Sequence, residues 1–416
     1  MTTPGPAATR PPDPSRSLYH LLDPEVLADP YPLYHRLRSE APVHWDPYLH
    51  AWVVTRYRDV VHVFQRFLAG RTPGPEQLAT LGMGELGPIA EVMVRQMLFL
   101  DPPDHTRVRA LAARAFTPRR VEALRDHIQQ IMDGLVDAVL PSGRMDAIAD
   151  VGSPLPSIVT TELLGLPARD WPQLKAWSTD FAEMLGNFQH NPGRTRRVLR
   201  SVEEMSAYFR TAVRRRSSAR TGGLVHALAT AEVDGDRLSE DEVVANLIVT
   251  MVGGLETTTN LIGNGLLSLL RHPGQLERLR TDPALVPSGV EELLRFESPS
   301  QHTARLAPDD VELGGRLIRR RQAVIAVMGA ANRDPGRFPD PDRLDVGRED
   351  NRHVAFGWAG HFCFGAPLAR IEGQIAFTTM LRRLRGMRLA PGPLVWRRNL
   401  GLRGLTALPI EFDPGG

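Results

Sequence analysis

The chain has 416 residues, 42% of them apolar, and a formal net charge of +2. That near-balance excludes the concentrated basic face of a nucleic-acid binder, while the apolar share is enough for a large core. The single cysteine excludes an internal disulfide and any zinc site built on several thiolates.

In chain order, residues 1–16 are Pro-rich and polar around Pro11-Pro12-Asp13-Pro14. They lack the apolar core of a signal peptide and predict a disordered leader. No run of about eighteen apolar residues follows, so no membrane span is expected and the chain reads as cytoplasmic. Pro and Gly never gather into a linker, so residues 17–416 are expected to form one domain. Basic residues are nearly all Arg, with Lys175 a rare exception.

Residues 17–70 mix short helical patterns with a strand-like run, Ala51 to Thr55. Helical spacing covers His105 to Phe116 and Arg119 to Leu140. Further helices over 155–232 are expected to break at Pro167, Pro172 and Pro192. The clearest helix starts at Ser239, which has capping-box spacing to Glu242. Its apolar residues recur from Val243 to Leu270, and Pro273 ends it. About thirty-three residues at 1.5 Å each give roughly 50 Å, enough to cross a domain. A helix over Pro287–Phe296, strands at Val311–Leu313 and Ala323–Val327, a meander at 334–350 and a helix from Pro367 to about Leu384 complete the pattern. The fold class is mostly α with minor β, in small sheets.

The stretch Phe356-Gly357-Trp358-Ala359-Gly360-His361-Phe362-Cys363-Phe364-Gly365-Ala366-Pro367 holds the only cysteine. Alone, a cysteine before a helix reads first as a buried inert thiol. Here helix-start amides can stabilise an anionic sulfur, and three phenylalanines can keep water from it. Within the long helix, Gly253 and Gly254 each cost roughly 1 kcal/mol relative to Ala. They permit either a flat ligand against the backbone or close packing of another helix. Glu256-Thr257 beside them suits proton relay. Glu292 and Arg295 share one helix face, which fits a surface ion pair or a structural one.

Together these segments resemble the cytochrome P450 family. The cysteine stretch is similar to its haem loop, Phe-Gly-x-Gly-x-His-x-Cys-x-Gly, with Ala359 where the family usually has Gly. Gly253-Gly254-x-Glu256-Thr257 resembles its oxygen-binding motif, and Glu292-x-x-Arg295 its Glu-x-x-Arg motif. The resemblance spans roughly residues 20–412. It implies a long central helix over haem b and Cys363 as the iron ligand. Phe356, Gly357, Gly365 and Gly253 would lie against the haem, and His105, Arg109, Arg305 and His361 would hold its propionates. Thr257 would hydrogen-bond dioxygen, Glu256 would serve the proton path, and Arg343 would complete a structural triad with Glu292 and Arg295. By position, Val249, Val252, Gln301, His302 and Leu402 would border the substrate. Gln301 or His302 would hydrogen-bond a polar substrate group, or else face solvent or a propionate. Segments near 75–100 and 180–195 would form the substrate lid.

The implied activity is oxygen insertion, as hydroxylation or epoxidation, into a small molecule of secondary metabolism. NAD(P)H would supply electrons through a separate ferredoxin or flavodoxin and its reductase, and the chain is expected to be a monomer. Two alternatives remain at this level: an atypical P450 oxidation, by coupling or peroxide, and a non-catalytic haem protein that recruits partners.

Overall fold

The computed structural model describes residues 13–185, 192–216 and 223–414. Residues 1–12 of the expected leader, and 186–191 of the expected lid, lie outside that range. Residues 13–16 instead form a short turn, Pro14–Arg16, capped by the Asp13 carboxylate. Ser17 Oγ then donates to buried Asp46, which ties this end to the domain.

The organising element is the helix Glu240–Arg271, 32 residues long. Its capping box is reciprocal: Ser239 N donates to Glu242 Oε2 at 2.8 Å, and Glu242 N donates to Ser239 Oγ at 3.2 Å. Buried residues occur on every side of it after the first turn, so it runs through the core rather than over it. The helices Pro154–Leu164, Trp171–Met184, Pro192–Arg216, Val286–Phe296 and Ala366–Arg383 pack against it. Pro172 and Pro192 stand in the first turn of helices, where a missing amide costs nothing, rather than interrupting them. The stretch expected as one helix over Arg119–Leu140 is divided into Pro118–Glu122 and Arg125–Val139. No span is long and apolar enough to cross a membrane among the described residues.

One four-stranded sheet matters for the site. Its order is Val43–Asp46, Ala51–Val54, Ala323–Val327, His302–Leu306. The central pair is parallel and the two outer pairs are antiparallel. Ala323–Val327 is almost wholly buried, as its unbroken apolar run requires. It holds His302–Leu306 in register, with Arg305 opposite Val324 and His302 opposite Val327.

Candidate active site

The long helix and the cysteine loop face each other across a cavity of about 320 Å³. Val249, Gly253 and Thr257 line it at spacings of four, flanked by Thr250, Gly254, Thr258 and Leu261. Opposite lie Phe356, Gly357, His361, Cys363 and Gly365. Thr257 Oγ1 donates to Gly253 O at 2.6 Å, so its hydroxyl oxygen remains able to accept from a ligand.

The two glycines answer different needs. A Cβ on Gly253 would meet nothing within 4 Å, because it would project into open space. A Cβ on Gly254 would meet Thr160 Oγ1 of the neighbouring helix at 2.9 Å. Gly253 keeps the cavity open, while Gly254 lets a helix approach.

Cys363 presents its sulfur to the cavity, two residues ahead of the helix-capping Gly365. Burial pushes the thiol up, opposed by the amides of Gly365 and Ala366 and by Arg109 and Arg370. Cys363 N donates to Phe356 O at 2.8 Å, which pins the loop. Ala359 takes a left-handed backbone at φ 55° and Gly357 does so at φ 71°, so the loop turns sharply in two places.

At one end of the cavity Arg109, Arg305 and His361 converge. His105 stands behind His361, their ring centroids 4.0 Å apart. Burial, then Arg305, His105, Arg109 and Arg71, pulls the His361 imidazole down to about 3. His105 Nε2 and Arg305 Nε are buried with no partner.

Glu256 points the other way. It is buried against the helix Trp171–Met184 and accepts from Lys175 Nζ, Thr179 Oγ1 at 3.0 Å and Ser178 Oγ at 3.2 Å. Arg397 Nη1 reaches its other oxygen at 2.7 Å. Burial pushes the Glu256 carboxyl up, but Lys175 and Arg397 outweigh that and hold it below its ordinary value. Lys175 is the only lysine in the chain.

A family model for cytochrome P450 matches residues 88–388. The cytochrome P450 monooxygenase PikC of Streptomyces venezuelae is 40% identical over 94% of this chain and 93% of its own length. The polyketide biosynthesis cytochrome P450 PksS of Bacillus subtilis is 37% identical over 95% and 99%. The chain belongs to the cytochrome P450 family. A solved structure of P450BioI, in complex with an acyl carrier protein ligated to hexadec-9Z-enoic acid, superposes with a TM-score of 0.88. That match is at 34% identity over 94% of this chain and 99% of that one. The chain is therefore a haem-thiolate monooxygenase with the P450 fold.

Family membership implies haem, and the residues present fit it. Among the described residues no three His, Cys, Asp or Glu side chains cluster to hold a metal. An iron bound by Cys363 must therefore bring its other ligands with it, as a porphyrin does. The buried, unpartnered nitrogens of His105 and Arg305 suit anionic propionates.

Several expected P450 positions need correction. Arg343 does not close the triad, because its guanidinium is exposed and turns to Asp345 and Asp340. Arg348 takes that place, Nε lying 3.2 Å from Glu292 Oε2, while Arg343 supplies only its carbonyl to Arg295. Two arginines five residues apart in the meander could not be told apart by sequence as to which bends inward. His302 fails for a simpler reason. Strand alternation sends Thr303 and Arg305 to the cavity and His302 to the opposite face, where it is buried. Gln301 is also buried away from the cavity, accepting from Tyr34 Oη at 2.9 Å and donating to Ser298 O at 2.7 Å. Val252 packs into the main core. Leu402 pairs with Ser300 through the backbone and lies off the cavity wall.

The segment 300–303, expected beside the haem, supplies Ser300 and Thr303 to the cavity, and the expected lid segment supplies Leu98, while sequence reasoning missed Phe64, Thr160 and Glu372. It also missed Lys175, Arg397 and Arg71. None stands in a motif, and only the packing brings them in.

Proposed function

We propose that this P450 inserts one oxygen atom of dioxygen into a largely apolar substrate of polyketide-like or related secondary metabolism. The observation that carries the reading is the cavity itself, with the Cys363 sulfur on one wall and Val249, Gly253 and Thr257 on the other. Haem bound there supplies the dioxygen chemistry, with thiolate donation favouring O–O cleavage.

The chain's own residues supply the rest. Cys363 would hold the iron, its loop stiffened by the bond to Phe356. His105, Arg109, Arg305 and His361 would hold the propionates. Thr257 would present a hydroxyl to the dioxygen side. Glu256 would bring protons from the Lys175 and Arg397 side by turning about its side-chain torsions. Phe64, Met97, Leu98, Leu163, Val249 and Leu294 give the substrate an apolar wall, so shape rather than charge would select it. The likeness to PksS, a polyketide biosynthesis cytochrome P450, supports a polyketide-derived substrate. Electrons would come from a ferredoxin or flavodoxin with its NAD(P)H-dependent reductase.

The test is a substrate-induced spin-shift screen of the haem-loaded protein against macrolactones, free fatty acids and acyl carrier protein conjugates. Hits are then turned over with a ferredoxin system under ¹⁸O₂. Label in a macrolactone product supports the reading. Turnover equally fast with peroxide and no reductase contradicts the electron route, and hits confined to fatty acyl ligands contradict the substrate class.

A further inference from the structure

The propionate end of the cavity holds more positive charge than the four expected residues provide. Backbone pairing explains how. Leu68 N donates to Leu306 O and Leu306 N to Leu68 O, both at 2.9 Å. This bridge lays the segment after Phe67 alongside the strand that carries Arg305, and so brings Arg71 beside it. Arg71 stacks its guanidinium on Phe99, 4.6 Å from the ring centroid, and Nη1 donates to Ala69 O at 3.0 Å. Arg305 stacks on Phe64 at 5.6 Å and spends Nη1 on its own strand.

Among the described residues, the carboxylate facing Arg71 and Arg305 is Asp101. Its oxygens are already engaged, Oδ1 accepting from Ala69 N at 2.7 Å and Oδ2 from Gly70 N at 2.9 Å. Among the described residues, the half-buried Arg71 and Arg109 and the buried Arg305 make no ion pair, whereas the other buried arginines do. Arg38, Arg295, Arg333 and Arg403 all have a carboxylate within 4 Å. Buried charges without a counter-ion are costly. Arg109 faces the Cys363 sulfur, so Arg71 and Arg305 share Asp101 and keep one positive charge in excess, the charge of one propionate with opposite sign.

We propose that Arg71 is a further haem-binding residue, pairing with a propionate together with Arg305, and that this pair of arginines is balanced only when that propionate is present. The inference rests on haem as the bound group. Burial, then Arg305, pulls Arg71 down to about 9, and burial pulls Arg305 down to about 10. Arginine keeps its proton at neutral pH, so these displacements express the cost of burying the charges, with repulsion from Arg305 added at Arg71.

The test compares Arg71→Met with Arg71→Lys in the haem-loaded protein. Both variants keep a long stem against Phe99, and only lysine keeps the charge. Haem transfer to excess apomyoglobin is expected to be about tenfold faster or more in Arg71→Met. In Arg71→Lys it is expected to stay close to the parent rate. Losing a positive charge beside the haem is expected to lower its reduction potential in Arg71→Met alone. Equal effects of the two substitutions would make Arg71 a packing residue and overturn the inference, as would unchanged haem retention. A weaker spin shift with carboxylate substrates, at parent haem retention, would also overturn it and assign Arg71 to substrate. A parent protein that takes up no haem would defeat the functional reading instead.

Discussion

The Arg348 guanidinium closes on the buried Glu292 carboxylate, Nε 3.2 Å from Oε2, beside the Arg295 guanidinium that grips the same carboxylate. Asp345 N at 2.9 Å and Asn351 Nδ2 at 3.2 Å complete the shell. Removing one partner of a buried pair leaves the other charge uncompensated. Arg348→Ala is therefore expected to cost about 3 kcal/mol, and Arg343→Ala no more than about 0.5 kcal/mol. Urea unfolding of both variants checks the contrast. Equal losses would return Arg343 to the triad.

Glu256 sits in a cage of four donors with its carboxylate turned from the cavity. If it carries protons, Glu256→Gln should lower turnover by about a hundredfold while leaving the ligand spin shift intact. A larger solvent isotope effect should accompany the loss. Because the folded carboxyl lies below its unfolded value, its stabilising contribution is present above the ordinary carboxylate range and fades as pH falls through the folded value. Glu256→Gln should therefore also remove part of the acid destabilisation expected in thermal melts of the parent.

Glu372 behaves in the opposite sense. Burial pushes this cavity-lining carboxyl up to about 8, opposed only by the Thr258 hydroxyl. The folded state then holds a proton that the unfolded state releases, so stability falls as pH rises between the ordinary carboxylate range and about 8. Thermal melts from pH 5 to 8 should show that decline in the parent and a flatter profile in Glu372→Gln. Parallel profiles would contradict the burial argument.

Gln301 and Thr303 separate scaffold from substrate wall. Gln301→Ala leaves the Tyr34 hydroxyl without its acceptor in a buried site and should cost about 1–3 kcal/mol. Ligand affinity, read by spin-shift titration, should stay unchanged. Thr303→Val changes the cavity wall and should alter ligand affinity at little cost in stability. The reverse pattern would place Gln301 at the substrate.

Ala359 adopts a left-handed backbone that costs an L residue roughly 1 kcal/mol or more. Ala359→Gly relieves it but frees the unfolded chain, so a net gain of up to about 1 kcal/mol is expected. Gly357→Ala should lose about 1 kcal/mol. Denaturant midpoints of the two variants check the signs.

Much of this was legible because local rules and the fold agree. Ser239 and Glu242 mark the start of the long helix, Ala323–Val327 reads as a strand end to end, and Pro367 lies in the first turn of the last helix. The cysteine loop could be read because glycines, a histidine and a helix start crowd one short segment. Side-chain direction could not be read. His302 and Thr303 are adjacent, and only strand register decides which meets the cavity. Arg343 and Arg348 are both in the meander, and irregular backbone decides which reaches Glu292. Arg71, Lys175 and Arg397 act at distances in sequence that no local pattern encodes.

The central claim is that Cys363 gives its thiolate to the haem iron. The most direct measurement is the reduced, carbon monoxide-bound spectrum of the haem-loaded parent and of Cys363→Ser. The account predicts the red-shifted Soret band of thiolate ligation in the parent and its loss in Cys363→Ser, with the protein still folded. A Cys363→Ser protein that keeps that band, or a folded, haem-loaded parent that lacks it, would contradict the account.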